Sequence, residues 1–181
     1  MRPSLIVGCA ALLFSGLAGA QVPTGGNVYV GYAYNNADWF GTGHSNFNGW
    51  TGSLEGRAFP HVGIVADFSQ TFGSESVAVA CSQICLPQKV NAHEYNMVFG
   101  PRVSFSVGNL RPFAEAMFGV GHVGATGDLS DTSFATALGG GLDYALFRPV
   151  AVRVEADYLQ TRFFGATQNN LRVTTGLAFY F

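Results

Sequence analysis

Apolar side chains recur at every second position in eight segments of the sequence, and this pattern constrains the fold more than any other feature. In segment 62–72, for example, Ile64 and Phe68 share one parity, whereas Gly63 and Asp67 share the other. Successive side chains of a strand point to opposite faces of a sheet, so a period of two predicts strands and not helices. The eight predicted strands are 27–34, 49–58, 62–72, 93–103, 111–122, 133–144, 150–159 and 171–181.

The connections between these segments alternate between short and long. Short turns are predicted near 59–61, 104–110 and 145–149, and longer polar segments join the other strands. Short turns at one end and long loops at the other are typical of an up-and-down barrel. Each segment is close to the ~9–11 residues with which a tilted strand crosses a bilayer. The predicted fold is therefore all-β, an eight-stranded antiparallel up-and-down β-barrel.

The charged residues indicate whether this barrel is soluble or transmembrane. Only 11% of the residues are charged, against roughly 25% in soluble domains. Half of these charges lie in mid-strand, on the parity that is rich in Gly and Ala, whereas the opposite parity carries Val, Leu, Phe, Tyr and Trp. Small and charged side chains suit a narrow lumen, and large apolar ones suit lipid. The barrel is therefore predicted to span a membrane with its charges inside.

The predicted lumen charges have two interpretations. One is an ion path or proton relay. The other, which we favour, is a salt-bridged network that fills the interior, because eight strands leave a space only just wide enough for side chains. Six acids face four arginines, so we expect one or two carboxyls to be protonated or linked by water. The network residues are Glu55, Arg57, Asp67, Arg102, Glu115, Asp143, Arg153, Glu155, Asp157 and Arg172.

The first twenty residues have the composition of a secretory signal peptide. Met1-Arg2-Pro3 is a short positive region, an apolar stretch covers 5–17, and Ala18-Gly19-Ala20 supplies small residues at the cleavage positions. The predicted domains are therefore a signal peptide at 1–20 and a barrel at 21–181. In the oxidising compartment that this implies, Cys81 and Cys85 are candidates for one disulfide that closes a small loop.

The polar connections contain the remaining candidates for function. His44 and Ser45 lie near Asp38 in the first connection and His122 ends strand five, so a lipid-modifying catalytic set is one alternative. Exposed loop aromatics such as Phe47 are a candidate surface for an extracellular ligand. No phosphate-loop, dinucleotide, EF-hand or zinc motif is present, so no cofactor or metal is expected. A net charge of -2 gives no reason to expect nucleic acid as a partner.

Taken together, these features resemble the OmpA-type eight-stranded outer-membrane barrels, in particular the stand-alone outer membrane protein beta-barrel domains. The resemblance covers about 27–181. It is carried by the signal peptide, the eight alternating segments, Phe99-Gly100-Pro101-Arg102-Val103, Val154-Glu155-Ala156-Asp157-Tyr158 and the final strand. That strand ends in Phe181, with Phe179 and Leu177 at alternate positions before it, and resembles the signal that the outer-membrane assembly machinery reads.

The resemblance implies a location, partners and a role. The location is the bacterial outer membrane, and the partners are outer-membrane lipids and the assembly machinery. A monomeric, non-enzymatic protein that supports envelope integrity is expected, and a narrow pore is the alternative. No periplasmic domain follows the barrel in this sequence, so cell-wall anchoring is not expected.

Overall fold

The computed structural model describes residues 25–38, 44–78, 87–125 and 129–181, and nearly all of them are in β-strands. A short 3₁₀ segment, Phe163–Gly165, lies between the last two strands. The strands are β1 Gly26–Asp38, β2 His44–Arg57, β3 Val62–Ala78, β4 Pro87–Ser104, β5 Leu110–Ala125, β6 Leu129–Phe147, β7 Val150–Thr161 and β8 Gln168–Tyr180.

The eight strands form one closed antiparallel barrel in which each strand pairs with its neighbours in sequence. Closure is made by β1 and β8, whose register extends from Asn27 opposite Tyr180 to Asn36 opposite Leu171. Closing the sheet pairs the backbone groups that an open edge would leave exposed, which is the condition for crossing a bilayer with strands. The predicted fold class is confirmed.

The two faces of the wall follow the parities of the sequence. Val30 and Leu138 point outward and are 56% and 66% exposed, whereas Tyr29 and Ala135 point inward and are fully buried. Aromatic side chains ring both ends of the outer surface, with Trp50 towards one end and Tyr144 towards the other. No helix among the described residues is long and apolar enough to cross a membrane.

Three short turns lie together at one end of the barrel, which we call the turn end; the opposite end is the loop end. The turn between β2 and β3 is closed by the amide of Ala58, which donates to the carbonyl of Val62 (3.0 Å). The turn between β4 and β5 contains Gly108 at a φ of 61°, a left-handed conformation that favours glycine. The alternation of short and long connections is thus present as predicted.

The strands extend further towards the loop end than the sequence pattern indicates. β3, β4 and β6 contain 17, 18 and 19 residues, well beyond the ~9–11 that a bilayer requires. Much of the predicted loop at 72–92 is therefore strand. The prediction was wrong there because both faces of a strand are polar above the membrane. The alternation of apolar and polar side chains is therefore lost there, although the backbone hydrogen bonds between the strands continue.

Leu138 provides a test of the membrane assignment, because it lies on the outward face of β6 between Phe134 and Tyr144. Leu138→Arg should lower the free energy of unfolding by about 2–4 kcal/mol relative to Leu138→Ala, since it places a charge in lipid. The measurement is denaturant unfolding in phospholipid vesicles. Equal stability of the two variants would show that this face meets water.

Candidate functional site in the barrel lumen

Three buried arginines organise the lumen, and each pairs with an acid on a neighbouring strand. Arg102 on β4 lies opposite Glu115 on β5, Arg153 on β7 opposite Asp143 on β6, and Arg172 on β8 opposite Asp157 on β7. The closest nitrogen–oxygen distances in these pairs are 2.5, 2.6 and 2.7 Å. Inward parity and strand register alone therefore bring each guanidinium to a carboxylate.

Two of the three arginines also form ion pairs across the lumen. Arg102 contacts Glu55 on β2 at 3.2 Å and Glu155 on β7 at 3.3 Å. Arg172 contacts Asp67 on β3 at 2.6 Å. These contacts join strands that are not adjacent in the sheet, so opposite walls of the barrel are held together through its interior.

Polar and aromatic side chains complete the coordination of the arginines. Arg153 donates to the side-chain oxygen of Asn27 (3.2 Å), and the amide nitrogen of Asn27 donates to Glu55 (2.7 Å). The guanidinium of Arg153 also lies 4.9 Å from the ring centre of Tyr29 and 4.8 Å from that of Phe113. Cation–π contacts of this kind compensate part of the cost of removing a guanidinium from water.

The buried acids outnumber the buried arginines. All six acids of the predicted network are 3% exposed or less: Glu55, Asp67, Glu115, Asp143, Glu155 and Asp157. Oxygen atoms of Glu115, Glu155 and Asp157 lie within 4.8 Å of one another. Glu115 Oε1 and Asp157 Oδ1 are buried without a hydrogen-bond partner in the described structure. This is where protonated or water-linked carboxyls, which remain a prediction, would be needed.

Apolar clusters occupy the lumen beyond the charges. One cluster lies beside the network and consists of Val65, Val98, Met117, Ala135, Ala137 and Leu159. The other lies at the loop end and consists of Ala37, Phe47, Ala92, Val123 and Phe163. The 3₁₀ segment supplies Phe163, which is 1% exposed. Side chains thus fill the described interior from the charged layer to the loop end.

This arrangement corrects the interpretation of the loop aromatics. Phe47 was expected on an exposed loop, but it is fully buried on the inward face of β2. Phe163 is buried in the same cluster, whereas its neighbour Phe164 is 45% exposed. The prediction was wrong because the polar residues around Phe47 hid the continuation of the strand, which turns every second side chain inward.

The predicted set of lumen charges is wrong at two residues: Arg57 lies outside the network, and the buried acid Glu94 was not predicted. Arg57 lies at the turn end, is only half-buried, and takes part in none of the ion pairs found between described residues. Glu94, which the sequence analysis did not include, is 2% exposed near the loop end and accepts a hydrogen bond from Asn96 (2.9 Å). Its inward parity on β4, shared with Arg102, was the signal that could have identified it.

The residues proposed for catalysis do not form a common site among the described side chains. Ser45 points inward and is 6% exposed. His122 lies on the opposite parity of β5, beside outward-facing Tyr95, with its ring nitrogen 2.7 Å from the hydroxyl of Thr132. The backbones of Asp38 and His44 are register partners, but their side chains lie outside the described set.

The remaining predicted sites are the cysteine pair, the signal peptide and the assembly signal. Cys81 and Cys85 fall outside the described residues, as does the predicted signal peptide, and both assignments stay predictions. Leu177, Phe179 and Phe181 point outward at the turn end and are 42%, 43% and 65% exposed. Their role as an assembly signal also stays a prediction.

A closed eight-stranded barrel with an apolar exterior and a charged, side-chain-filled interior defines a small integral membrane β-barrel protein. Residues 7–180 match the family described as the outer membrane protein beta-barrel domain. The chain belongs to this family, and the resemblance stated from the sequence is confirmed. It is an outer-membrane β-barrel protein.

Solved structures with the same fold agree with this assignment. Neisserial surface protein A aligns with a TM-score of 0.66 at 13% identity, over 85% of this chain and 96% of its own. Ail, the attachment invasion locus protein of Yersinia pestis, was solved with a heparin analogue, sucrose octasulfate. It aligns with a TM-score of 0.57 at 15% identity, over 86% of this chain and 98% of its own. OprG of Pseudomonas aeruginosa aligns with a TM-score of 0.55 at 8% identity, over 89% of this chain and 97% of its own. A comparison with curated proteins found no match.

Arg102 provides the direct test of the network's contribution to stability. Arg102→Met should lower the free energy of unfolding by about 3–5 kcal/mol, because it leaves three buried carboxylates without their shared cation. Arg162→Met, an exposed arginine at the loop end, is the matched control and should change stability by about 0.5 kcal/mol or less. Both are measured by urea unfolding in vesicles, and equal effects would contradict the assigned role.

Proposed function

We propose that this protein is a non-enzymatic structural element of the outer membrane, with a closed lumen and with its loop end as the surface for any specific contact. The observation that carries the proposal is the set of ion pairs across the lumen. Arg102 and Arg172 each contact acids on non-adjacent strands, so the cross-section that a pore would use is occupied by fixed side chains.

The layers along the lumen support the closed state. The charged layer is fully buried, since Arg102, Arg153 and Arg172 are 1% exposed or less. A mixed layer follows at the loop end, where the apolar cluster of Phe47 and Phe163 lies beside the buried side chain of Glu94. An ion would have to break several buried pairs to pass the charged layer, and each broken pair would leave a charge uncompensated in the interior.

The outer surface supports the expected partners. Exposed apolar side chains such as Ile64 and Phe118 form a band suited to outer-membrane lipids, with Trp50 and Tyr144 towards its two edges. Every strand is already paired on both sides within one chain, so a monomer meets the backbone requirement of the bilayer. Short turns face the periplasm in such barrels, which assigns the turn end to that side. The assembly machinery would read Leu177, Phe179 and Phe181 from there.

The loop end is the surface that we propose for contact with molecules outside the cell. Its strands continue beyond the membrane as an ordered wall, and the 3₁₀ segment exposes Phe164 beside its buried neighbour Phe163. The amide of Phe164 donates to Asp131, which fixes this segment on β6. A rigid, partly aromatic rim is a better contact surface than a mobile loop, because less entropy is lost on binding.

The alternative functions have less support. A catalytic set needs its nucleophile and base within hydrogen-bond reach, but Ser45 and His122 lie on opposite parities of the wall. A pore needs a continuous polar path, and the ion pairs that Arg102 and Arg172 form across the lumen block it. A lipid-modifying activity would appear in mass spectrometry of lipid A with and without expression of the protein, and we expect identical spectra.

Planar-bilayer recording tests the closed lumen. We expect the refolded wild-type protein to give no discrete conductance steps, because the buried ion pairs across the lumen leave no hydrated path. Phe47→Ser with Phe163→Ser should also be silent, since the ion pairs below remain in place. Reproducible steps of one size in the wild type, absent from protein-free bilayers, would exclude the proposal and favour a narrow pore.

A further inference from the structure

An arginine-lined cavity lies at the turn end, below the charged network, and meets that network at Asp143. The cavity has a volume of about 760 Å³, and its lining includes Arg57, Arg111, Arg148, Asp143 and Tyr180. We propose that this cavity binds a phosphate group. The proposal goes beyond the closed-lumen function and does not depend on it.

The strand ends leave room for a ligand between these arginines. Arg57 is the last residue of β2 and Arg111 the second residue of β5, so both lie where the lumen opens at the turn end. Small side chains, Ala145 and Ala151, line the same cavity. The guanidinium of Arg111 is held 4.9 Å from the ring centre of Tyr180, which limits the orientations that it can take.

None of the three arginines in this cavity has a carboxylate of the described residues within ion-pair distance. Asp143 is already engaged, because its two oxygens accept from Arg153 at 2.6 and 2.9 Å and one of them also accepts from the hydroxyl of Tyr180. No ion pair between the described residues includes Arg57, Arg111 or Arg148. Three guanidinium charges therefore border one cavity without a carboxylate of their own.

Two of these arginines also have a donor atom that no described residue pairs. The Nε atoms of Arg57 and Arg111 are buried and have no hydrogen-bond partner within the described structure. Buried donors in folded proteins are nearly always paired, with protein, water or an ion. Because these two atoms are closed off from solvent, an anion in the cavity would reach them only after a small shift of the side chains, and charge-assisted bonds to the anion would favour that shift.

The surroundings of the cavity favour phosphate over other anions. The planar fork of arginine matches the oxygens of a phosphate group in pairs. Leu146 and Phe147, which are 51% and 65% exposed, line the cavity on its membrane side. A phospholipid could therefore place its headgroup phosphate between the arginines and its acyl chains against this apolar edge. Free inorganic phosphate shares the same recognition chemistry and is the other source.

Native mass spectrometry tests the lipid source. The refolded protein is released from detergent micelles containing phosphatidylglycerol, and the fraction that retains one lipid is measured. We expect retention by the wild type and a loss of about tenfold or more in Arg57→Gln with Arg111→Gln, because the double variant removes both charge-assisted contacts to the phosphate. Arg162→Gln, at the opposite end of the barrel, is the matched control and should retain lipid like the wild type.

A second arm tests free phosphate. Broadening of the ³¹P resonance of inorganic phosphate is recorded with each protein in phosphate-free detergent. Broadening by the wild type and the control, but not by the double variant, would support the site with free phosphate as a source. If neither phosphatidylglycerol nor inorganic phosphate distinguishes the wild type from the double variant, the proposal is overturned.

Folding of each variant is checked by the mobility shift on boiling, which folded barrels of this type show in gels. If the double variant does not fold, Arg57→Gln and Arg111→Gln are compared singly with Arg162→Gln. Each should then weaken retention, and retention equal to the control in both would refute the site. Arg57→Lys with Arg111→Lys keeps the charge but removes the fork, so retention between that of the wild type and that of the glutamine variant is expected.

Discussion

The pairing of inward-facing guanidinium groups with carboxylates from the opposite wall is the interaction on which the rest of this barrel depends. A closed eight-stranded sheet can be formed by backbone hydrogen bonds alone, but those bonds act only between neighbours. Arg172 contacts Asp67 and Arg102 contacts Glu55 and Glu155, so the walls are joined through the interior. Removing one cation would strand several buried carboxylates, and the network is therefore required as a unit.

Space for this network comes from glycine positions on the neighbouring strands. Gly139 on β6 lies between Glu115 on β5 and Asp157 on β7. A Cβ atom at Gly139 would lie 2.1 Å from Asp157 Oδ1 and 2.4 Å from the carbonyl oxygen of Ala156. Small inward-facing residues therefore leave the space that the large charged side chains of the neighbouring strands occupy. Arg102 and Arg153 likewise each lie opposite an acid on one neighbouring strand and a glycine on the other.

The contrast between inward and outward side chains explains which features the sequence could predict and which it could not. Within the bilayer, apolar and polar parities contrast strongly, so the eight strands, their faces and the inward position of Arg102 and Arg153 followed from alternation alone. Above the bilayer both faces are polar, so the ends of β3 and β4 and the burial of Phe47 were missed. The alternation of side chains gives no information on barrel closure or strand register. It therefore could not predict which residues pair across the lumen, or that Arg57 lies outside the network.

A double-mutant cycle on Arg172 and Asp67 is the most direct test of the central claim, because these residues lie on β8 and β3 and touch only through the lumen. Unfolding free energies of the wild type, Arg172→Met, Asp67→Leu and the double variant are measured in vesicles. The account predicts that the double variant loses less stability than the two single variants combined, with a coupling energy of about 1–3 kcal/mol. Additive losses, with no coupling, would show that the walls are not tied together through the interior.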